Sequence, residues 1–295
     1  MRTVLALALL VTGMAGCGGE EEAADRPSIV VTTNVLGDVV EQMVGNAARV
    51  EVLMPPGTDP HEFAASARQV AELRSADALV ASGLGLEGSL ADTIEAARSD
   101  GVLVITATDA LPAATRDRHF YTDPVLMRTA AAGVAAGLAA SLPALDTPAV
   151  AQRTGRYLAA LAALDGEVGE VLADVPEARR VLVTNHEVLG PFARRYGFEV
   201  LGAVRRGGST LAEPGAADLA ALADLLAARD VPVVFGDASS SSRLIDALAA
   251  EGTGVRVETL YTESLGGSGT GATTYVDMVR TNARRIAAAL GQPDG

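Results

Sequence analysis

The chain has no tryptophan, no lysine and one cysteine in 295 residues, and only five Phe, five Tyr and three His. A single cysteine excludes an internal disulfide framework. So few Phe and Tyr rings do not supply the stacking platforms on which sugar-binding clefts rely. Without lysine there is no Gly-Lys-Ser/Thr phosphate loop, and the exclusive use of arginine reads as a compositional habit rather than a site. A formal net charge of -14 argues against nucleic acid, which needs clustered cations, and suits a cationic ligand. No Gly-x-Ser-x-Gly elbow is present. His61-Glu62 and His186-Glu187 are not followed by His four residues after the first, so the helical zinc-protease motif is missing too.

What is present begins at the N-terminus. Arg2 supplies a positive charge, Val4 to Val11 an apolar run, and Met14-Ala15-Gly16 precede Cys17. This is the layout of a secretory signal, too short for a transmembrane helix of about 20 residues. It resembles a bacterial lipoprotein signal, with Met14 where Leu is usual, and makes Cys17 the expected lipidated first residue. The polar run after Cys17 reads as a tether.

The rest alternates strand and helix. Apolar, β-branched runs at 28–33, 48–53, 78–82 and 102–106 read as buried parallel strands, separated by helical patterns over 35–43, 66–76 and 89–98. The middle has two Ala- and Leu-rich helices, 124–140 and 148–172. The second, capped by Thr147 with Pro148 at its first position, would be about 37 Å long. After it the alternation restarts, with strands at 180–184, 198–203, 231–235 and 255–260 and helices at 189–196, 217–229, 241–251 and 275–290. The expected fold is α/β, with two lobes that are each a parallel sheet flanked by helices, joined by one long rigid helix. The expected divisions are signal peptide 1–16, tether 17–27, first lobe 28–145, linking helix 146–175 and second lobe 176–295.

Ligands of such sheets sit beyond the carboxyl ends of the strands. All three histidines fall in strand-end or loop positions. His61 closes the stiff loop Met54-Pro55-Pro56-Gly57-Thr58-Asp59-Pro60, His119 follows the strand ending at Thr106, and His186 follows Thr184. Neutral imidazole is the commonest metal ligand side chain, so the three are expected to converge on a metal ion in the cleft between the lobes. A closed tetrahedral site needs a fourth ligand, and Glu263 and Asp237 both follow second-lobe strands. Asp59, Glu62, Asp123 and Glu187 are candidates to orient the rings, and Phe63, Phe120, Tyr121 and Tyr261 to form a dry shell.

Pro60-His61-Glu62-Phe63, His119-Phe120-Tyr121-Thr122-Asp123-Pro124, Thr184-Asn185-His186 with Tyr196-Gly197, and Glu263-Ser264-Leu265-Gly266 occur in that order. Behind a lipoprotein signal, the combination resembles the zinc/manganese-type solute-binding lipoproteins of bacterial metal-importing ABC transporters. The resemblance implies metal binding by His61 and His119 from the first lobe and by His186 and Glu263 from the second. The family commonly has Asp at the fourth position, so Glu263 is a departure that keeps Asp237 as the alternative. Histidine at the third position is associated with Zn²⁺, a carboxylate there with Mn²⁺. Many zinc members carry a His-rich loop before the second histidine, and the stretch 108–118 has none.

The expected function is an extracytoplasmic, lipid-anchored monomer that captures Zn²⁺ and delivers it to an ABC permease without catalysing a reaction. The alternatives are a manganese or iron receptor, a secreted zinc hydrolase with Glu62 or Glu187 as general base, and a siderophore or vitamin receptor with incidental histidines.

Overall fold

The computed structural model describes residues 26–184, 186–203, 216–239 and 254–291. The signal, Cys17, most of the tether and the expected helix 241–251 lie outside the described residues.

The first lobe builds a parallel sheet from β1 (Ser28–Val31), β2 (Arg49–Val52), β3 (Ala78–Ala81) and β4 (Leu103–Thr106) in the order β2-β1-β3-β4. Its crossovers carry α1 (Asn34–Val44), α2 (Ala67–Arg74) and α3 (Ala91–Ser99). β1 stops two residues short of the end of its apolar run because Thr33 turns to cap α1, its side chain accepting from Leu36 N–H. Ser66 likewise forms a capping box with Gln69 at the start of α2.

Two helices follow, α4 (Pro124–Ser141) and α5 (Pro148–Ala173). As expected, Thr147 caps α5 through Val150 N–H, with Pro148 at its first position. The second lobe repeats the plan with β5 (Val181–Thr184), α6 (Gly190–Tyr196), β6 (Glu199–Ala203), α7 (Ala216–Ala228), β7 (Val233–Asp237), β8 (Arg256–Leu260) and α8 (Tyr275–Gly291). Its parallel sheet has the order β6-β5-β7-β8, so in both lobes the second strand in sequence lies outside the first. The fold is the expected one, two parallel α/β lobes bridged by a long helix.

What makes α5 a stiff bridge is its stripe of Tyr157, Leu161, Leu164, Val168 and Leu172, all buried at three- and four-residue spacing. One continuous apolar core runs from first-lobe residues such as Val35 and Val39 through this stripe to Met278 and Ile286 of α8. Polar ties fix the helix to both lobes. Arg153 donates to the carbonyl of Gln42 at 2.8 Å, while Asp165 pairs with Arg195 and Glu167 with Arg280. Smaller apolar clusters complete the packing of each sheet. Because the strands within a sheet all run the same way, the loops after their carboxyl ends leave each lobe from one edge.

Candidate metal centre

Four such loops meet. The proline loop after β2 presents His61, the long loop after β4 presents His119, the turn after β5 presents His186, and the loop after β8 presents Glu263. One ligand atom from each of the four lies within 4.8 Å of the other three. The nearest imidazole atoms are Nε2, and those of His61 and His119 are 3.4 Å apart. Glu263 Oε1 lies 3.4 Å from His61 Nε2, 3.3 Å from His119 Nε2 and 2.6 Å from His186 Nε2. A tetrahedral ion bound at about 2.0–2.1 Å spaces its ligands about 3.3–3.4 Å apart. Three of these four separations already have that value, and the fourth is a direct hydrogen bond that needs less than about 1 Å of opening. The side chains of Glu263, His186, His119 and His61 are 0 to 7% exposed. A cavity of about 450 Å³, lined by Asp117, Arg118, Glu187, Gly190, Arg194 and Val200, reaches His119 and His186 from outside.

Local chemistry holds each ligand loop. Asp59 Oδ1 accepts His61 N–H and Asp117 Oδ1 accepts His119 N–H, both at 2.9 Å. The two histidines thus share one device, an aspartate two residues back whose side chain hydrogen-bonds the later N–H. Thr184 Oγ1 donates to the carbonyl of His186 at 2.5 Å, and Val188 N–H donates to the same oxygen at 2.8 Å.

The other candidates lie differently. Asp237, the alternative fourth ligand, is not among the clustered atoms. Its carboxylate accepts from Ser239 N–H at 2.8 Å and from Ser239 Oγ, and from Thr262 N–H, Thr262 Oγ1 and Glu263 N–H at 2.8, 2.6 and 3.0 Å. Both oxygens are committed to donors because β7 ends on Asp237, beside the turn that carries Glu263. Asp123 caps α4 through Val125 and Leu126 N–H instead of orienting His119. Glu62 and Glu187 are exposed, and Asp59 binds backbone rather than the ring. Phe63 packs in the smaller first-lobe cluster, and Tyr261 lies under Arg285. Of the four aromatic candidates, only Tyr121, backed by Phe120, touches the centre.

Three further features shape the site. Asp117 is the readable one, through the repeated pattern Asp-x-His at 59–61 and 117–119. Tyr121 donates its hydroxyl to Glu263 Oε2 at 2.6 Å. Asn34 bridges the lobes: its amide nitrogen donates to the carbonyls of Met54 and Pro55 and to Ser264 Oγ, and its oxygen accepts Leu265 N–H at 2.7 Å. Gly57 N–H also donates to Ser264 Oγ at 2.7 Å, so the residues after Glu263 are clasped by the proline loop that carries His61. The partners in this clasp are more than 200 residues apart, and no local pattern announces them.

The charges are coupled. Burial by itself pushes Glu263 up, but the His119 charge and hydrogen bonds from the three imidazoles hold it well below the usual carboxylate range. Burial would lower His61, yet Glu263 and Asp59 raise it above its ordinary value of 6.5, with Arg118 opposing them. Burial, then the charge of Glu263, pushes the Tyr121 phenol well up, so it remains a donor. Chemically, the arrangement offers a cation three imidazole nitrogens and one anionic oxygen in a buried shell.

A family model described as ZnuA, zinc-uptake complex component A periplasmic, matches residues 29–289. The chain belongs to this family. The family and its neighbours are metal-binding transport proteins of ABC systems, not enzymes. Zinc-binding protein TroA of Treponema pallidum (strain Nichols) is 34% identical over 98% of this chain and 97% of its own length. Manganese-binding lipoprotein MntA of Bacillus subtilis (strain 168) is 33% identical over 98% of this chain and 100% of its own. The solved structure of periplasmic zinc binding protein TroA from Treponema pallidum superposes with a TM-score of 0.83 at 33% identity, covering 90% of this chain and 100% of that one. This member of the zinc-uptake component A family thus resembles a zinc and a manganese protein almost equally.

Proposed function

We propose that the protein is an extracytoplasmic receptor that captures Zn²⁺ with His61, His119, His186 and Glu263 and hands it to an ABC permease. The observation that carries this reading is the meeting of three imidazoles and one carboxylate within 4.8 Å. Nearly equal identity to zinc- and manganese-binding relatives leaves the choice of metal to the donor set. Three imidazoles and one carboxylate suit zinc, whereas manganese and iron favour more oxygen donors or bind a given site more weakly. With Glu263 at the fourth corner the cluster leaves no open position for a reacting water, which speaks against the hydrolase. Anchoring through Cys17 and the tether 17–27 fits delivery at a membrane, and MntA is named a lipoprotein. We take 28–145 and 176–295 as the two lobes and 146–175 as the segment that links them. Two ligands from each lobe give a release route, because a small separation of the lobes breaks the site without any chemistry on the ion.

Offered equimolar Zn²⁺ and Mn²⁺, the stripped protein is expected to retain one equivalent of zinc and to exclude manganese. Retention of manganese would transfer the function to the manganese receptor. Binding should also weaken in acid. Zinc needs bare imidazole nitrogens, and Glu263 and Asp59 raise His61 above its ordinary value, so zinc has a proton to displace there sooner as the pH falls. Affinity is expected to fall by about tenfold per pH unit for each proton displaced, beginning above pH 6.5. In the metal-free protein the sign reverses. A raised His61 stabilises the fold below its unfolded value, and that contribution is lost as pH rises through the folded one. Chelator competition against pH, with a melting series on the stripped protein, measures both; a zinc affinity flat from about pH 5 to about 8 would contradict imidazole ligation.

A further inference from the structure

We propose that Tyr121, which is not a ligand, sets the metal preference by holding Glu263 to one coordinating oxygen. The inference rests on the zinc-site reading above and concerns the coordination number of that site. The two oxygens of Glu263 have different surroundings. Oε1 faces all three imidazoles, at 3.4, 3.3 and 2.6 Å. Oε2 accepts the Tyr121 hydroxyl at 2.6 Å. The Glu263 side chain is fully buried, so bulk solvent does not compete for Oε2.

Tyr121 is itself firmly placed. It lies in the short turn Phe120–Thr122 and is 2% exposed. Its ring stands edge-on to His119 at 6.2 Å and to Phe120 at 5.7 Å between centroids. Its carbonyl accepts the Tyr275 hydroxyl at 2.7 Å. The phenol therefore approaches Glu263 from a fixed direction, and a charge-assisted hydrogen bond opposes rotation of Oε2 toward the ion. A carboxylate turned to bind through both oxygens would make the site five-coordinate. Zinc is satisfied by four ligands, while manganese gains from each added oxygen. Occupying Oε2 with a protein donor thus penalises manganese more than zinc, with the ligand set unchanged.

The test compares wild-type protein with Tyr121→Phe, which removes one oxygen and keeps the buried ring. Co²⁺ serves as the spectroscopic probe, and Zn²⁺ and Mn²⁺ affinities are measured by competition. In the wild type, Co²⁺ should give the intense visible bands of a four-coordinate site. In Tyr121→Phe the bands should weaken toward a five-coordinate pattern, and the zinc-over-manganese ratio should fall by about tenfold, the order expected of one charge-assisted hydrogen bond. Equal losses of zinc and manganese affinity with an unchanged cobalt spectrum would mean that Tyr121 only helps to close the lobes, and would overturn the inference. So would no change in either. A wild type that binds neither zinc nor cobalt would remove the site itself and this inference with it, a failure separable from that of Tyr121.

Discussion

Glu263→Gln is expected to weaken zinc binding by about a thousandfold, equivalent to about 4 kcal/mol, with the metal-free protein still folded though less stable. The amide has nearly the shape of the carboxylate, and its oxygen still accepts from Tyr121. Its NH₂ group would face imidazole nitrogens that accept when neutral. What disappears is the one negative charge among the four donor atoms. A divalent ion among three neutral imidazoles at 2 to 7% exposure would have no anionic partner and little water. Titration against a chromophoric chelator measures the change. A loss of only a few-fold would show that Glu263 is not a ligand. In the metal-free variant His61 loses Glu263, the larger of the two carboxylate influences that raise it, so its titration should move down.

Asp237→Asn should behave differently. It is expected to destabilise the protein by about 3 kcal/mol while one equivalent of zinc still binds, with affinity lowered by about tenfold to a hundredfold. The carboxylate accepts hydrogen bonds from Ser239, Thr262 and the N–H of Glu263 and is 5% exposed. An asparagine has one acceptor oxygen where the turn uses two, and its NH₂ group would face N–H or O–H donors. Leaving such groups unpaired in a buried turn carries a penalty of about 1–3 kcal/mol each. The turn that loosens is the one that aims Glu263, which is why affinity falls without loss of stoichiometry. Urea unfolding of the stripped protein and zinc titration separate the two effects. Loss of zinc stoichiometry with unchanged stability would make Asp237 the ligand and Glu263 its support.

Much of the fold is legible in the chain alone. Buried parallel strands are continuous apolar runs, so Ile29 to Val31 and Val181 to Val183 stand out without any alternation of polar and apolar residues. Strand ends are less well marked. Thr33 leaves its run to cap a helix, and β7 extends through Gly236 and Asp237 because they pair with Thr259 and Leu260. The histidines stand out because they are rare and fall at strand ends. The choice between Glu263 and Asp237 is not legible, since both follow strands of the same sheet. It depends on where the turn after β8 lies relative to the end of β7, which is a matter of three-dimensional packing. The Asn34–Ser264 clasp and the Tyr121–Glu263 hydrogen bond join residues 230 and 142 positions apart, and they exist only once the lobes have docked across α5.

The most direct test of the central claim is X-ray absorption at the zinc edge of the protein loaded with one equivalent. The expected result is a four-coordinate shell of three imidazole nitrogens and one carboxylate oxygen at about 2.0–2.1 Å, without a bound water. A shell with fewer than three imidazoles, or with water in place of the carboxylate, would contradict it.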